Sequence, residues 1–180
     1  MYLHEDKGLF FDVVNASSEK LNIPMAVIEK DYYVTMILKL LSSKIKNCVF
    51  KGGTSLSKCF HLLDRFSEDI DITFTEHLGE GRRKTLKYKI LRPISEELGL
   101  PISNWEKIES DKDYNCYIFA YDPLDGYVEE SLYPGVKLET ALGSYSFPTE
   151  LRVVTSYVYE FLKEEDVELV EEFALQPFTM

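Results

Sequence analysis

Apolar and polar residues follow a helical period at the start of the chain and then switch to alternating strands and helices. Helical spacing covers about residues 5 to 19 and resumes after Ile23, where Pro24 suits a first helical turn. Runs rich in β-branched and aromatic residues, which favour strands, lie at about 47 to 50, 69 to 74, 114 to 121 and 135 to 141. The pattern predicts an α+β fold.

The remaining elements divide the chain into three parts. Further helices are predicted at about 54 to 63, 82 to 98 and 155 to 163, and further strands near Leu151 to Val153 and at 173 to 178. We expect one domain over residues 1–180. Its parts are a helical N-terminal part at about 1–45, a catalytic core at about 46–142, and further strands and a helix at about 149–180.

Two aspartates lie two positions apart in the strand predicted at 69 to 74. Because alternate side chains of a strand share a face, Asp69 and Asp71 project together, whereas the apolar residues between and after them point into the core. Paired carboxylates repel each other unless a cation, a basic neighbour or a shared proton compensates. Mg²⁺ is the natural cation, since one or two carboxylates and substrate phosphates usually hold it. The alternative is a sheet edge whose charges prevent aggregation.

A glycine pair followed by hydroxyl residues precedes this strand. Gly52 and Gly53 allow a tight turn, and the helix that starts near Thr54 or Ser55 would expose free N–H groups to an anion. The hydroxyl groups and Lys58 could contact the phosphates of a nucleotide. The alternative is a simple turn before a helix.

The segment GGTSLSK also bears a superficial likeness to a P-loop, but its residues exclude that motif. The position before Lys58 is Ser57 instead of glycine, and the position after it is Cys59 instead of serine or threonine.

A third acidic residue lies in the strand predicted at 135 to 141. There Val136 and Leu138 share one face, and Lys137 and Glu139 share the other. Two-metal phosphoryl-transfer sites hold their ions with carboxylates, which makes Glu139 a candidate for a third metal-binding carboxylate. Lys137 could contact phosphates or balance the charge. The alternative for Glu139 is an exposed strand glutamate paired with a nearby lysine.

Composition and charge narrow the classes of partner. The chain has 180 residues, 45% of them hydrophobic, without an apolar run long enough for a membrane helix and without a secretory signal, so we expect a cytoplasmic protein with no membrane partner. A net charge of −11 disfavours broad electrostatic binding to nucleic acid. The basic segment 82–92, RRKTLKYKILR, is either a solvated helix face or a contact for an RNA backbone.

Four segments together resemble the AbiEii-type nucleotidyltransferases, toxins of bacterial type IV toxin–antitoxin and abortive-infection systems. They are VIEKDYYV at 27–34, FKGGTSLSK at 50–58, RFSEDIDI at 65–72 and VKLET at 136–140. The resemblance implies a polymerase β-like fold with a small mixed sheet flanked by helices. Family members continue past a segment like QPFTM into a C-terminal helical region that is absent from this sequence. The chain is then either an N-terminal fragment or a short relative that binds nucleotide without transferring it.

The resemblance also implies an activity and assigns residues to it. A nucleoside triphosphate with Mg²⁺ would donate a nucleotidyl group to a hydroxyl acceptor, and a tRNA is the acceptor that the family suggests. The triphosphate would lie at Gly53, Thr54 and Ser55, assisted by Lys58, and Asp69, Asp71 and Glu139 would bind the metal. A cognate antitoxin is a further expected partner. The alternative is a degenerate scaffold that binds nucleotide or a protein without catalysis. Arg65 and Ser67 order the loop before the aspartates or touch substrate.

Overall fold

The computed structural model describes residues 1–62, 67–109, 112–124, 132–133, 135–144 and 147–180. Its α-helices are α1 (Lys7–Leu21), α2 (Met25–Lys44), α3 (Gly52–Lys58), α4 (Glu80–Thr85), α5 (Arg92–Glu97), α6 (Tyr157–Glu165) and α7 (Val167–Glu172). Its strands are β1 (Cys48–Lys51), β2 (Ile70–Phe74), β3 (Tyr114–Phe119), β4 (Val136–Ser144), β5 (Val153–Val154) and β6 (Phe178–Thr179). A π-helical turn, Leu86–Leu91, joins α4 to α5, so the helix predicted at 82 to 98 is confirmed. Short 3₁₀ turns lie at Leu3–Glu5 and Trp105–Lys107.

Four strands form the main sheet, in the order β1-β2-β4-β3. Strand β2 is antiparallel to β1 and parallel to β4, and β3 is antiparallel to β4. The register places Asp71 between Lys51 on one side and Glu139 on the other. The predicted small mixed sheet flanked by helices is therefore confirmed. Its two central strands carry Asp71 and Glu139, and Asp69 lies immediately before β2.

The apolar face of the sheet is buried as the alternation predicted. Ile70, Ile72 and Leu138 are all fully buried, and Val136 beside them is buried too. Helix α2 packs behind this face and also contacts α1, α5 and α6. It is accordingly buried along most of its length, including a run of charged residues near its start.

Two elements differ from the sequence prediction. Helix α3 begins at Gly52 instead of Thr54, because glycine tolerates the φ of +78° with which the chain leaves β1. The strand predicted at 173 to 178 is wrong: α7 precedes it, and only Phe178–Thr179 pairs with β5. The Asp166 side chain accepts a hydrogen bond from the Leu169 N–H at 3.3 Å and so caps α7, a start signal that the apolar content of the segment obscured.

Some of the predictions are not tested by the structure. Arg65 lies outside the described residues. The single-domain assignment stays a prediction. In the described part of the chain, no helix combines the length and the hydrophobicity of a membrane-spanning segment.

Replacing Leu138 by alanine is expected to lower the free energy of unfolding by about 2–5 kcal/mol, because the substitution leaves a cavity in the middle of the sheet. The control is Val153→Ala in β5, where the side chain is 57% exposed and the expected change stays within about 0.5 kcal/mol. Denaturant unfolding of both variants measures the difference. Equal losses in the two variants would contradict the assigned core.

Candidate active site

The glycine turn and the aspartate strand are in direct contact. Gly52 follows β1 and has a φ of +78°. A Cβ atom built on Gly52 would lie 2.1 Å from Oδ2 of Asp71, so no side chain other than hydrogen fits between the turn and this carboxylate. The two motifs that were separate in the sequence therefore form one site.

Asp71 and Glu139 lie side by side on the parallel strands β2 and β4. Burial raises the pKa of Asp71, the Lys51 charge opposes that rise, and the charges of Glu139 and Asp69 add to it. Neighbouring carboxylates repel each other unless a basic residue, a shared proton or a cation compensates, so this pair is suited to a cation.

Asp69 completes the acidic cluster at the start of β2. Burial raises its pKa, Lys137 opposes this shift, and Glu68 and Glu139 reinforce it. Its Oδ1 is the one buried side-chain polar atom in the described part of the chain that has no hydrogen-bond partner. Since buried acceptors are almost always satisfied, this oxygen is suited to a ligand that the protein itself does not supply.

Thr54 and Ser55, which we predicted at the triphosphate, are bonded inside the protein. The buried Thr54 hydroxyl lies 2.8 Å from the Ser67 hydroxyl and also donates to the backbone carbonyl of Asp69. The Ser55 hydroxyl donates to the carbonyl of Gly52 at 2.9 Å. Both hydroxyls hold the turn and the aspartate strand together, and Ser67 belongs to this linkage. Their contact with phosphate stays a prediction, which requires them to exchange partners.

The two predicted lysines occupy different surroundings. The Lys137 ammonium lies 4.2 Å from the ring centre of Tyr133 and close enough to Asp69 to lower its pKa. Lys58 instead forms an ion pair with Asp31 and donates to the carbonyl of Thr155 at 3.1 Å. It ends the seven-residue helix α3, about 9 Å along the axis from the glycines. A phosphate contact by Lys58 stays a prediction that requires the pair with Asp31 to open.

Sequence reasoning missed three residues around the carboxylates. Lys51 faces Asp71 across β1 and β2. Burial and the neighbouring Glu139 carboxylate raise the pKa of Tyr114 of β3 to about 12. Lys30 of α2 approaches Asp69 closely enough to lower its pKa. Lys51 could have been noticed because it adjoins the glycine pair, whereas the other two depend on strand register and helix packing.

The carboxylates are suited to a hard cation whose remaining ligands are substrate phosphates and water. In the described residues, no three acidic, histidine or cysteine side chains form a group that encloses a metal ion. Mg²⁺ does not need such a cage, because it is usually held by one or two carboxylates together with substrate phosphates and water. The unpartnered Oδ1 of Asp69 and the carboxylate of Asp71 at the glycine turn supply such a donor set.

Comparison with known proteins agrees with this geometry. The sequence profile of the family described as nucleotidyl transferase AbiEii toxin of type IV toxin–antitoxin systems matches residues 38–175. The chain belongs to the AbiEii family. No curated protein and no solved structure matches it significantly. The AbiEii match contains the glycine pair and all three carboxylates and begins after the first half of α2.

The basic segment of this AbiEii protein is largely engaged within the chain. Its ion pairs are Arg82–Glu76 at 2.8 Å, Arg83–Asp113 at 2.6 Å, Lys84–Glu80 at 2.7 Å and Arg92–Glu96 at 3.1 Å. Lys87 is buried and donates to the carbonyl of Ile108 at 2.8 Å. These contacts favour a solvated helix face over an RNA contact for segment 82–92.

Gly52→Ala is expected to destabilise the protein by about 1–3 kcal/mol, because the new methyl group meets the Asp71 carboxylate at a φ that alanine rarely adopts. Gly81→Ala in α4 is the matched control. It has open space around the new Cβ and should be neutral or stabilising by about 0.5–1 kcal/mol. Thermal and denaturant unfolding measure both variants. A tolerated Gly52→Ala would contradict the close contact.

Asp71→Asn is expected to raise the melting temperature of the metal-free protein at neutral pH. Because the folded-state pKa of Asp71 is raised, its ionisation removes stability as the pH increases from about 3.9 through the folded-state pKa. The difference in melting temperature between Asp71→Asn and the wild type should therefore vanish below that pH range and be largest above it. Melting curves in EDTA from pH 3 upward test this, with Asp12→Asn on α1 as a control for the loss of one negative charge. A constant difference at every pH would refute it.

Proposed function

We propose that this AbiEii protein is a Mg²⁺-dependent nucleotidyltransferase that moves a nucleotidyl group from a nucleoside triphosphate to a hydroxyl acceptor. The observation that carries the proposal is the contact between the glycine turn and a carboxylate that is itself paired with a second carboxylate on the adjacent parallel strand. The family supports the coarser part, a toxin of type IV toxin–antitoxin systems with a nucleotide substrate and a cognate antitoxin.

In this proposal Asp69 and Asp71 hold the metal ion, and Glu139 is the third carboxylate. When bound, the ion would supply charge neutralisation at the α-phosphorus and at the departing pyrophosphate. Lys51 and Lys137 flank the carboxylates and keep the cluster from being purely anionic. The triphosphate would approach the backbone of Gly52 and Gly53 at the start of α3, beside the Asp71 carboxylate.

The chemical step forms a bond between the acceptor oxygen and the α-phosphorus and breaks the bond from that phosphorus to pyrophosphate. Glu139 accepts the proton of the acceptor hydroxyl, for which it must be ionised. The register of β2 and β4 places its carboxylate beside Asp71. We propose RNA, specifically the 3′ end of a tRNA, as the acceptor on the family resemblance alone, and a cytoplasmic location follows from these substrates.

A second candidate is a scaffold that binds nucleotide or a protein partner without catalysis. The internal bonds of Thr54 and Ser55 and the pairing of Lys58 with Asp31 favour it, because these groups are occupied where the transferase would use them. Calorimetry with each nucleoside triphosphate and Mg²⁺ separates nucleotide binding from transfer. Binding without product formation would favour the scaffold.

Asp69→Asn is expected to reduce nucleotidyl transfer by about a thousandfold while leaving the fold intact, because it removes one charged metal ligand and several kcal/mol of charge stabilisation. Incubation with α-labelled nucleoside triphosphates and total RNA measures the transfer, and circular dichroism checks the fold. Asp12→Asn is the control and should retain wild-type activity. Undiminished transfer by Asp69→Asn would refute the assignment.

A further inference from the structure

Three consecutive charged residues of α2 are buried in the protein. Glu29, Lys30 and Asp31 are 3%, 0% and 3% exposed. Buried charges are costly unless they are paired and hydrogen-bonded. Each of the three forms a hydrogen bond or ion pair with a different segment that is distant in sequence. The three charges are therefore stabilised by tertiary contacts instead of solvent.

The outer two charges anchor loops and helices. Glu29 accepts a hydrogen bond from the backbone N–H of Leu124 at 3.1 Å. Asp31 pairs with Lys58 at the end of α3 and accepts from the backbone N–H of Tyr157 at 2.9 Å, at the start of α6. These contacts connect α2 to the segment at Leu124, to the end of α3 and to the start of α6.

Lys30 makes the contact closest to that cluster. Its ammonium forms an ion pair with Glu68 and donates to the carbonyl of Tyr133 at 2.5 Å. Glu68 in turn accepts from the N–H of Tyr133 at 3.0 Å, which closes a three-membered ring of polar contacts. All three members have partners within the ring, so the buried ammonium is satisfied by a fixed arrangement.

The ring lies at the start of both carboxylate strands. Glu68 immediately precedes Asp69, and Tyr133 lies three residues before the start of β4, which carries Glu139. The Tyr133 ring also contacts Lys137 on the same strand. Moving any member of the ring would shift the beginning of β2, of β4, or of both.

We propose that Lys30 is a positioning residue of the metal site: by holding Glu68 and Tyr133, it fixes the starts of β2 and β4 so that Asp69 and Glu139 face one divalent cation. This inference rests on the proposed function for the identity of the ligand. It assigns a role to a residue that lies outside the part of the chain matched by the family profile.

The direction of the change in cation affinity on removal of Lys30 distinguishes a positioning role from a purely electrostatic one. Lys30 is a positive charge near Asp69, so through-space electrostatics alone predicts tighter binding of a cation when Lys30 is removed. Positioning predicts weaker binding, because residues that orient metal ligands typically contribute about 10- to 100-fold in metal affinity.

Helix α2 offers a matched control for the general loss of a hydrogen-bonded lysine. Lys39 donates to the carbonyls of Ala174 at 2.5 Å and Gln176 at 3.0 Å, which belong to the C-terminal segment. Lys39→Met removes comparable contacts from the same helix but none that reach the carboxylate strands.

The experiment measures binding of Mn²⁺ to the full chain by electron paramagnetic resonance, with circular dichroism to confirm folding. Lys30→Met should weaken Mn²⁺ affinity by about tenfold or more, and Lys39→Met should leave it within about twofold. Glu68→Gln, which keeps Lys30 and the side-chain shape, is the second variant and should change affinity in the same direction as Lys30→Met. Unchanged or tighter binding in Lys30→Met overturns the proposal.

Hydrogen–deuterium exchange provides a readout that needs no metal. Lys30→Met, or Glu68→Gln if the first variant does not fold, should accelerate amide exchange at the starts of β2 and β4, and Lys39→Met should not. If the wild-type protein fails to bind Mn²⁺, the proposed function is wrong, and the exchange pattern still decides the role of Lys30. Unaltered exchange in both strands overturns that role.

Discussion

Electrostatic repulsion among three neighbouring carboxylates is the constraint on which the arrangement of this protein depends. Asp71 and Glu139 lie on the adjacent parallel strands β2 and β4, and Asp69 lies immediately before β2. Burial weakens the solvation that would otherwise screen their charges. The protein compensates only in part, through the charges of Lys51, Lys137 and Lys30. The remaining imbalance is what makes the cluster suited to a divalent cation.

The glycine turn shows how closely the backbone is adapted to this cluster. Gly52 adopts a conformation that other residues avoid and leaves no room for a side chain beside Asp71. A side chain at that position would displace the carboxylate. The turn therefore lies directly against the acidic cluster, and the Thr54 hydroxyl ties the same turn to the backbone of Asp69.

Much of the sheet could be predicted from the sequence, because alternation alone determines which side chains share a face. It separated Asp69 and Asp71 from their apolar neighbours, and Lys137 and Glu139 from theirs. The parallel register that sets Glu139 beside Asp71 could not be derived, since it depends on loops whose length does not fix strand pairing.

The helical regions were harder to predict where charged residues are buried or where apolar residues do not form the expected strand. The charged run Glu29–Asp31 reads as solvent-exposed, and only the tertiary contacts of α2 explain why it is buried. In the C-terminal segment, the prediction of a strand was wrong. Its apolar residues suited a strand, whereas Phe173 and Leu175 are buried without forming one.

The most direct test of the central claim is a crystal structure of the protein with Mg²⁺ and a non-hydrolysable nucleoside triphosphate. The account predicts a metal ion bound by Asp69 and Asp71, with the phosphates beside Gly52 and Gly53. A nucleotide bound elsewhere on the chain, with the carboxylates free of metal, would contradict it.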